Sequence, residues 1–317
     1  VVSPVNVQAS PWSAARSRRR FNRRRPPEKL NEMMYVGFAI GCLALAAAIG
    51  RFGAGRSRSP LFLAAMALLA AAAGAGIYTA ATEQFGAFEL FAGLIGVGIG
   101  LALAAAGYFL VRAVEEASLL VAPAAIGVSF ALPIAAAVFL FNGLSSVTRY
   151  GALGLAAGAV AFALLIVGWR VRASGLPLNN RLLSTLLLLA LVGFVFFGLL
   201  FFDAMAGSRA QDGPFLLTVF AVGGIALQIL GYARRERFGA SEILFGAAAG
   251  VPLFGGFLCL LLPLGGLPGW QIVGLAAFGA TPAVALVFIG AFGERWRIPG
   301  YLGLAGLAAA AALLALG

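Results

Sequence analysis

Residues 182–202 read LLSTLLLLALVGFVFFGLLFF. No charge interrupts them and the apolar residues run on without alternation, which excludes a half-wet strand and a membrane β-barrel alike. About 20 apolar residues are what an α-helix needs to cross the roughly 30 Å hydrocarbon layer of a bilayer. The stretch reads as a transmembrane helix, and the rest of the chain repeats its character. Of 317 residues, 62% are hydrophobic and 10% charged, with a mean hydropathy of +1.00. Soluble domains carry about 45–50% apolar and about 25% charged residues, so a soluble globular protein is excluded.

Hydropathy places ten spans, numbered here in chain order: 34–50, 60–81, 87–111, 118–141, 150–169, 182–202, 214–233, 242–264, 270–292 and 299–316. The short first span makes nine the alternative count. Pro60, Pro214 and Pro299 stand at helix starts, where a missing N–H costs nothing. The connections are too short for a soluble domain, so the expected fold is all-α, a polytopic transmembrane helix bundle with a single domain over residues 33–317. The Gly-rich run Gly93–Gly98 has no strand before it and reads as a helix-packing face rather than a phosphate loop.

Arginines follow the odd-numbered spans: Arg51, Arg56, Arg58, Arg112, Arg170, Arg172, Arg181, Arg234, Arg235, Arg237, Arg295 and Arg297. The loops after spans 2, 4, 6 and 8 hold only Arg149 and Arg209. The bias predicts that the odd-numbered loops face the cytoplasm. Arg51, Arg112, Arg172, Arg235 and Arg297 recur about every 62 residues, which predicts either five tandem helical hairpins or simply ten spans of even length. Residues 1–32 form a basic tail (Arg16, Arg18, Arg19, Arg20, Arg23, Arg24, Arg25 and Lys29) read as disordered or non-native, with translation starting at Met33 or Met34; if native, it would contact anionic lipid or nucleic acid.

The chain has no histidine, which excludes His-ligated haem, Ser-His-Asp and Cys-His catalysis and most intramembrane zinc hydrolysis. Cys42 and Cys259 sit in apolar runs and read as small buried hydrophobes. No catalytic residue, metal or cofactor is expected, and no enzyme. Glu89, in the first turn of span 3, is a candidate ion or proton site or a solvated helix-end acid. Asp203 reads as wet, Glu115 and Glu116 as loop acids, Glu242 as a surface ion-pair partner, and Gln228 and Thr218 as interhelical hydrogen bonders. Asn142, Ser145, Ser146 and Thr148 form a polar turn. Prolines inside spans are more suggestive: Pro123 and Pro133 in span 4, Pro252 in span 8, Pro282 in span 9. A helix proline deprives the carbonyl four residues earlier of its donor, here Ala248 and Phe278 for the last two. With Gly250, Gly279 and Thr281 these residues outline a candidate midplane solute site, as broken helices do in transporters.

Residues 95–123, IGVGIGLALAAAGYFLVRAVEEASLLVAP, resemble a segment of a large bacterial family of predicted multi-pass membrane proteins of unknown function, in which a Gly-spaced helix ends in a Phe-Leu-Val-Arg type sequence. The resemblance implies a many-helix fold and no activity. The expectation from the residues is a polytopic protein of a bacterial inner membrane, bathed in lipid, that moves a small solute; the alternative is a non-transporting membrane scaffold or complex subunit. The topology is testable. Single cysteines at Arg56, Gly175 and Arg237 should be shielded from impermeant thiol reagents in intact cells, whereas one at Gln84 or Ala210 should label; the reverse pattern would mean that the basic tail sets orientation.

Overall fold

The computed structural model describes residues 26–87, 89–116, 129, 133–135, 147–168, 178–206, 211–263, 267–293 and 298–316. Within them lie nine long helices: Pro26–Ala54 (span 1), Pro60–Ala81 (span 2), Leu90–Glu116 (span 3), Arg149–Gly168 (span 5), Leu178–Ala206 (span 6), Asp212–Ala233 (span 7), Ala240–Leu261 (span 8), Gly269–Phe292 (span 9) and Ile298–Leu316 (span 10). A short 3-10 turn, Gln84–Ala87, precedes span 3. Eight of these helices are long and apolar enough to cross a membrane; span 5 contributes a shorter apolar stretch. Span 1 starts at Pro26, so its helix takes in the end of the expected tail. Residues 1–25, most of span 4 with Pro123 and the turn Asn142–Ser146, and the loops carrying Arg170, Arg172, Arg209, Arg295 and Arg297 lie outside the described residues, as do the side chains of Glu115, Glu116 and Arg181.

The interfaces reveal how the chain is organised. Span 3 packs on spans 6 and 7, span 2 on spans 7 and 8, span 8 on span 1, span 1 on span 9, span 9 on span 10, and span 10 on span 5. Matching each span of the first half to the span five places later turns the 3–7 interface into 8–2 and the 3–6 interface into 8–1, and maps 2–7 and 5–10 onto themselves. The described helices before residue 169 and after residue 177 are therefore related by a pseudo-two-fold axis, and equivalent helices such as spans 3 and 8 start on opposite faces. Tandem hairpins are not the packing unit: spans 1 and 2, and spans 7 and 8, touch only slightly although they are chain neighbours.

Local geometry repeats the symmetry. Span 2 ends with Thr82 N–H donating to the Tyr78 carbonyl (3.0 Å) and Glu83 N–H to Ala80 (3.2 Å); span 7 ends with Arg234 donating to Leu230 (3.0 Å) and Arg235 to Tyr232 (2.9 Å). Glu83 and Arg235, with φ of 56° and 57°, are the non-glycine residues with positive φ among those described. Each holds a left-handed conformation costing about 1–2 kcal/mol, and each does so at the same place in its half. Glycine spacing also repeats. Gly96 and Gly100 set span 3 against Phe215, Thr218 and Val219 of span 7, while Gly246 and Gly250 set span 8 against Leu63, Met66 and Ala67 of span 2.

Contacts at the helix ends separate two faces. On one, the start of span 2 meets the start of span 8, Arg234 meets Tyr108, and Arg51 lies over the Phe292 ring. On the other, Gly213 meets Gln84, Gly151 abuts Trp270, and Gln271 Nε2 donates to the Leu314 carbonyl at 2.7 Å. The first face gathers the ends that lead into odd-numbered loops and the second those that lead into even-numbered loops. The core between them is apolar, with Phe62, Phe215, Phe220, Trp270 and Leu227 fully buried. Span 6 is tied to span 7 by Phe202 stacked on Phe215, ring centroids 3.7 Å apart, and to span 8 by Phe196 on Phe257.

A Cβ added at Gly100 would fall 2.6 Å from the Val219 carbonyl, and one at Gly250 would collide with that of Ala67; at Gly98 it would meet nothing. Backbone cannot yield as a side chain does. Gly100→Ala and Gly250→Ala should each lower stability by about 1–3 kcal/mol in thermal or denaturant unfolding in detergent, with Gly98→Ala within about 0.5 kcal/mol of the parent.

Candidate functional site

The prolines, the hydroxyls and the pseudo-symmetry together locate the site. Pro282 lies deep in span 9 and is buried, about 18–20 Å along its helix and near the centre of a roughly 30 Å layer. Thr281 beside it is 2% exposed, and its Oγ1 has no hydrogen-bond partner among the described residues. Threonines inside membrane helices usually return the hydroxyl to the carbonyl four residues back, as Thr79 does to Ala75 (2.7 Å) and Thr218 to Pro214 (2.9 Å) here. Thr281 does not. One turn below, the Phe278 carbonyl has lost its donor to Pro282. A buried hydroxyl without a partner thus stands in the same turn as a carbonyl that lacks its helix donor; such a group in an apolar core costs about 1–3 kcal/mol unless a solute or water engages it.

Span 4 is the counterpart of span 9 by chain order; among its described residues Pro133 is buried and helical, and Ser129 is helical and 4% exposed. Gly274 of span 9 lies opposite Ile134, 4.0 Å from a Cβ built on the glycine to Ile134 Cδ1.

The other expected site residues fall elsewhere. Spans 8 and 9 share no extensive interface; span 1 packs against both. Pro252 is buried in span 8, but Gly250 is closed against the Ala67 backbone and Ala248 is exposed on the outer face. Gly279 faces Ile40 of span 1. The Phe278 ring fills the space over Gly158 and meets Phe162 of span 5 edge-on at 5.5 Å. Glu89 is exposed just before Leu90, at the even-loop face, where its carbonyl accepts the Gly93 N–H at 3.0 Å. Cys42 lies near Gly255 and both cysteines are free.

Glu242 corrects the sequence reading. It is fully buried, and its bonds go to backbone rather than to a surface arginine: Oε1 accepts the N–H of Arg58 at 2.6 Å and of Ser59 at 3.2 Å, and Oε2 accepts the Ser241 hydroxyl at 2.9 Å. Gln228 reaches Met66 of span 2 (Nε2 to Sδ, 3.9 Å), as an interhelical role requires, but Thr218 bonds within its own helix. Asp203 is half-buried.

No family model matches the chain, and no curated protein is similar to it. Among solved structures, a crystal structure of a protein shares 17% identity over 90% of this chain and 98% of its own, with a TM-score of 0.62. At that identity the likeness shows the fold alone.

Thr281→Val replaces the hydroxyl by a methyl of the same shape. Removing a buried group that makes no bond should leave thermal stability within about 1 kcal/mol of the parent or raise it, as measured in detergent; a loss of several kcal/mol would show that the hydroxyl is structurally bonded.

Proposed function

We propose that this chain is a membrane transporter for a small solute, held between the proline turns of spans 4 and 9 and released to either face by alternating access. The observation that carries the reading is the inverted repeat. Two halves in opposite orientation make the two faces near-equivalent, so one packing and its mirror about the midplane differ little in energy. A site on the axis between them is then offered to each face in turn. Its contacts are neutral: the Thr281 hydroxyl, the Phe278 carbonyl and the phenylalanine rings nearby. They suit a small, uncharged or zwitterionic solute with a donor to give and apolar surface to bury. The reading includes the orientation expected from the arginines, odd-numbered loops cytoplasmic, and a place in a bacterial inner membrane.

A solute-uptake or growth screen comparing wild type, a null strain and the variants Thr281→Val, Pro133→Ala and Pro282→Ala tests it. Wherever the null strain differs from wild type, Thr281→Val should lower uptake by about tenfold or more, the value of one buried hydrogen bond to the solute, while expression and insertion stay normal. If all three variants track wild type in those conditions, the chain acts as a scaffold or subunit, and the site is not where these turns place it.

A further inference from the structure

Two cations meet at a single oxygen on the odd-loop face. Near the end of span 3, Arg112 Nη1 donates to the hydroxyl of Tyr108, one turn earlier, at 3.5 Å. From the end of span 7, Arg234 Nη2 donates to the same oxygen at 2.9 Å, and its guanidinium lies 4.8 Å from the centre of the tyrosine ring. A phenol offers a dipole and a π face but no charge, so it draws the two cations together without neutralising either. The carboxylates at this face are turned elsewhere: Glu242 takes the Arg58 and Ser59 N–H groups, and Glu236 takes the Ser59 hydroxyl. Arg56, Arg58, Arg234, Arg235 and Arg237 are exposed here, and among the described residues none of these five is in an ion pair. Apolar surface leads to the same point. Leu94 and Leu101, exposed on the outside of span 3, recur at the heptad spacing that ends in Tyr108, and Ile225, Ile229 and Tyr232 form an exposed stripe on span 7 that ends just before Arg234.

We propose that this cradle binds the headgroup of an anionic phospholipid, one free phosphate oxygen on Arg112 and one on Arg234, with the acyl chains along the apolar stripes of spans 3 and 7. Arginine suits the task because its planar fork pairs with phosphate oxygens, and a tyrosine at the end of a span stands at headgroup level. A nucleic acid matches the charge but not the stripes below it. The pseudo-symmetry does not call for these cations. Counted from the paired glycines Gly100 and Gly250, the positions equivalent to Tyr108 and Arg112 are Leu258 and Leu262, and the cap equivalent to Arg234 is Thr82, followed by Glu83. The cradle is therefore built at one face and not at its counterpart. Because span 3 belongs to one inverted unit and span 7 to the other, a bound headgroup ties the two units together at the odd-loop face and favours the arrangement closed there. The cradle and its test need no solute and stand apart from the transporter reading.

Native mass spectrometry of the full chain, released from micelles holding equal amounts of phosphatidylglycerol and phosphatidylcholine with the same acyl chains, counts the lipid that stays bound. Wild type should retain phosphatidylglycerol over phosphatidylcholine by about twentyfold, two arginines at about fivefold each. Arg112→Gln and Arg234→Gln should each cut that preference about fivefold, whereas Arg149→Gln, on the even-loop face, should leave it unchanged. Equal retention of the two lipids by wild type, or a preference that survives in both variants, would overturn the proposal. So would displacement of the bound lipid by inorganic phosphate or by a short RNA oligonucleotide at equal concentration, since either would make the site one for a soluble anion. Arg234 is exposed at a helix end, so if Arg112→Gln does not fold, Arg234→Gln decides alone.

Discussion

In lipid, helices gain nothing by hiding apolar side chains from one another, since acyl chains are as apolar as leucine. What holds this bundle is close approach of backbones, and it is made where side chains are missing. Gly96 and Gly100 bring span 3 onto span 7, Gly246 and Gly250 bring span 8 onto span 2, and Gly223 and Gly224 seat span 7 against its neighbours. The remaining helices are hung on this central row of 3, 7, 2 and 8: span 6 on span 3, span 1 on span 8, then spans 9, 10 and 5 beyond span 1. Dispersion between closely spaced backbones falls steeply with distance, so one added methyl at the crossing affects the whole row.

The row also decides where polar groups can lie. A helix start exposes N–H groups that lipid cannot satisfy, and with spans 2 and 7 pressed against spans 8 and 3 those groups are met by side chains from the opposite half. Glu242 and Gln84 do this work, and Glu236 accepts the Ser59 hydroxyl at the same helix start. It explains why Glu83 and Arg235 tolerate a left-handed backbone: the turn carries the next side chain back toward the partner helix. Farther out, where the row's glycine contacts end, Pro282 of span 9 takes the helix donor from the Phe278 carbonyl, and the Thr281 hydroxyl beside it has no partner among the described residues.

Much was legible before any coordinates. Continuous apolar runs, bounded by proline, glycine and arginine, locate the spans to within a few residues, because a bilayer demands the same thing of every crossing segment. The even spacing of Arg51, Arg112 and Arg235 was legible too, but its cause was not a hairpin repeat; alternate loops of ten similar spans fall at that interval whatever the packing. Proline positions showed where carbonyls lose donors. They did not say that spans 8 and 9, which carry Pro252 and Pro282, share no extensive interface, because a proline's effect is local and its neighbours are chosen by which helices meet.

The sequence by itself determined a lipid-embedded helical chain, its span boundaries and the alternation of its loops, since length, hydropathy and charge act on each segment independently. Only the tertiary structure decided that the helices before residue 169 and after residue 177 repeat one arrangement in opposite senses. The trace in the residues is faint: Ala-Phe-Glu-Leu-Phe-Ala-Gly at 87–93 beside Ala-Ser-Glu-Ile-Leu-Phe-Gly at 240–246, and Ser-Pro-Leu-Phe-Leu at 59–63 beside Gly-Pro-Phe-Leu-Leu at 213–217. Apolar residues exchange freely in lipid, so two halves can keep one geometry while their sequences drift apart. The fate of Glu242 has the same cause. Beside a run of arginines it reads as a surface acid, and only the docking of span 8 on span 2 turns it inward to hold the other helix's amides.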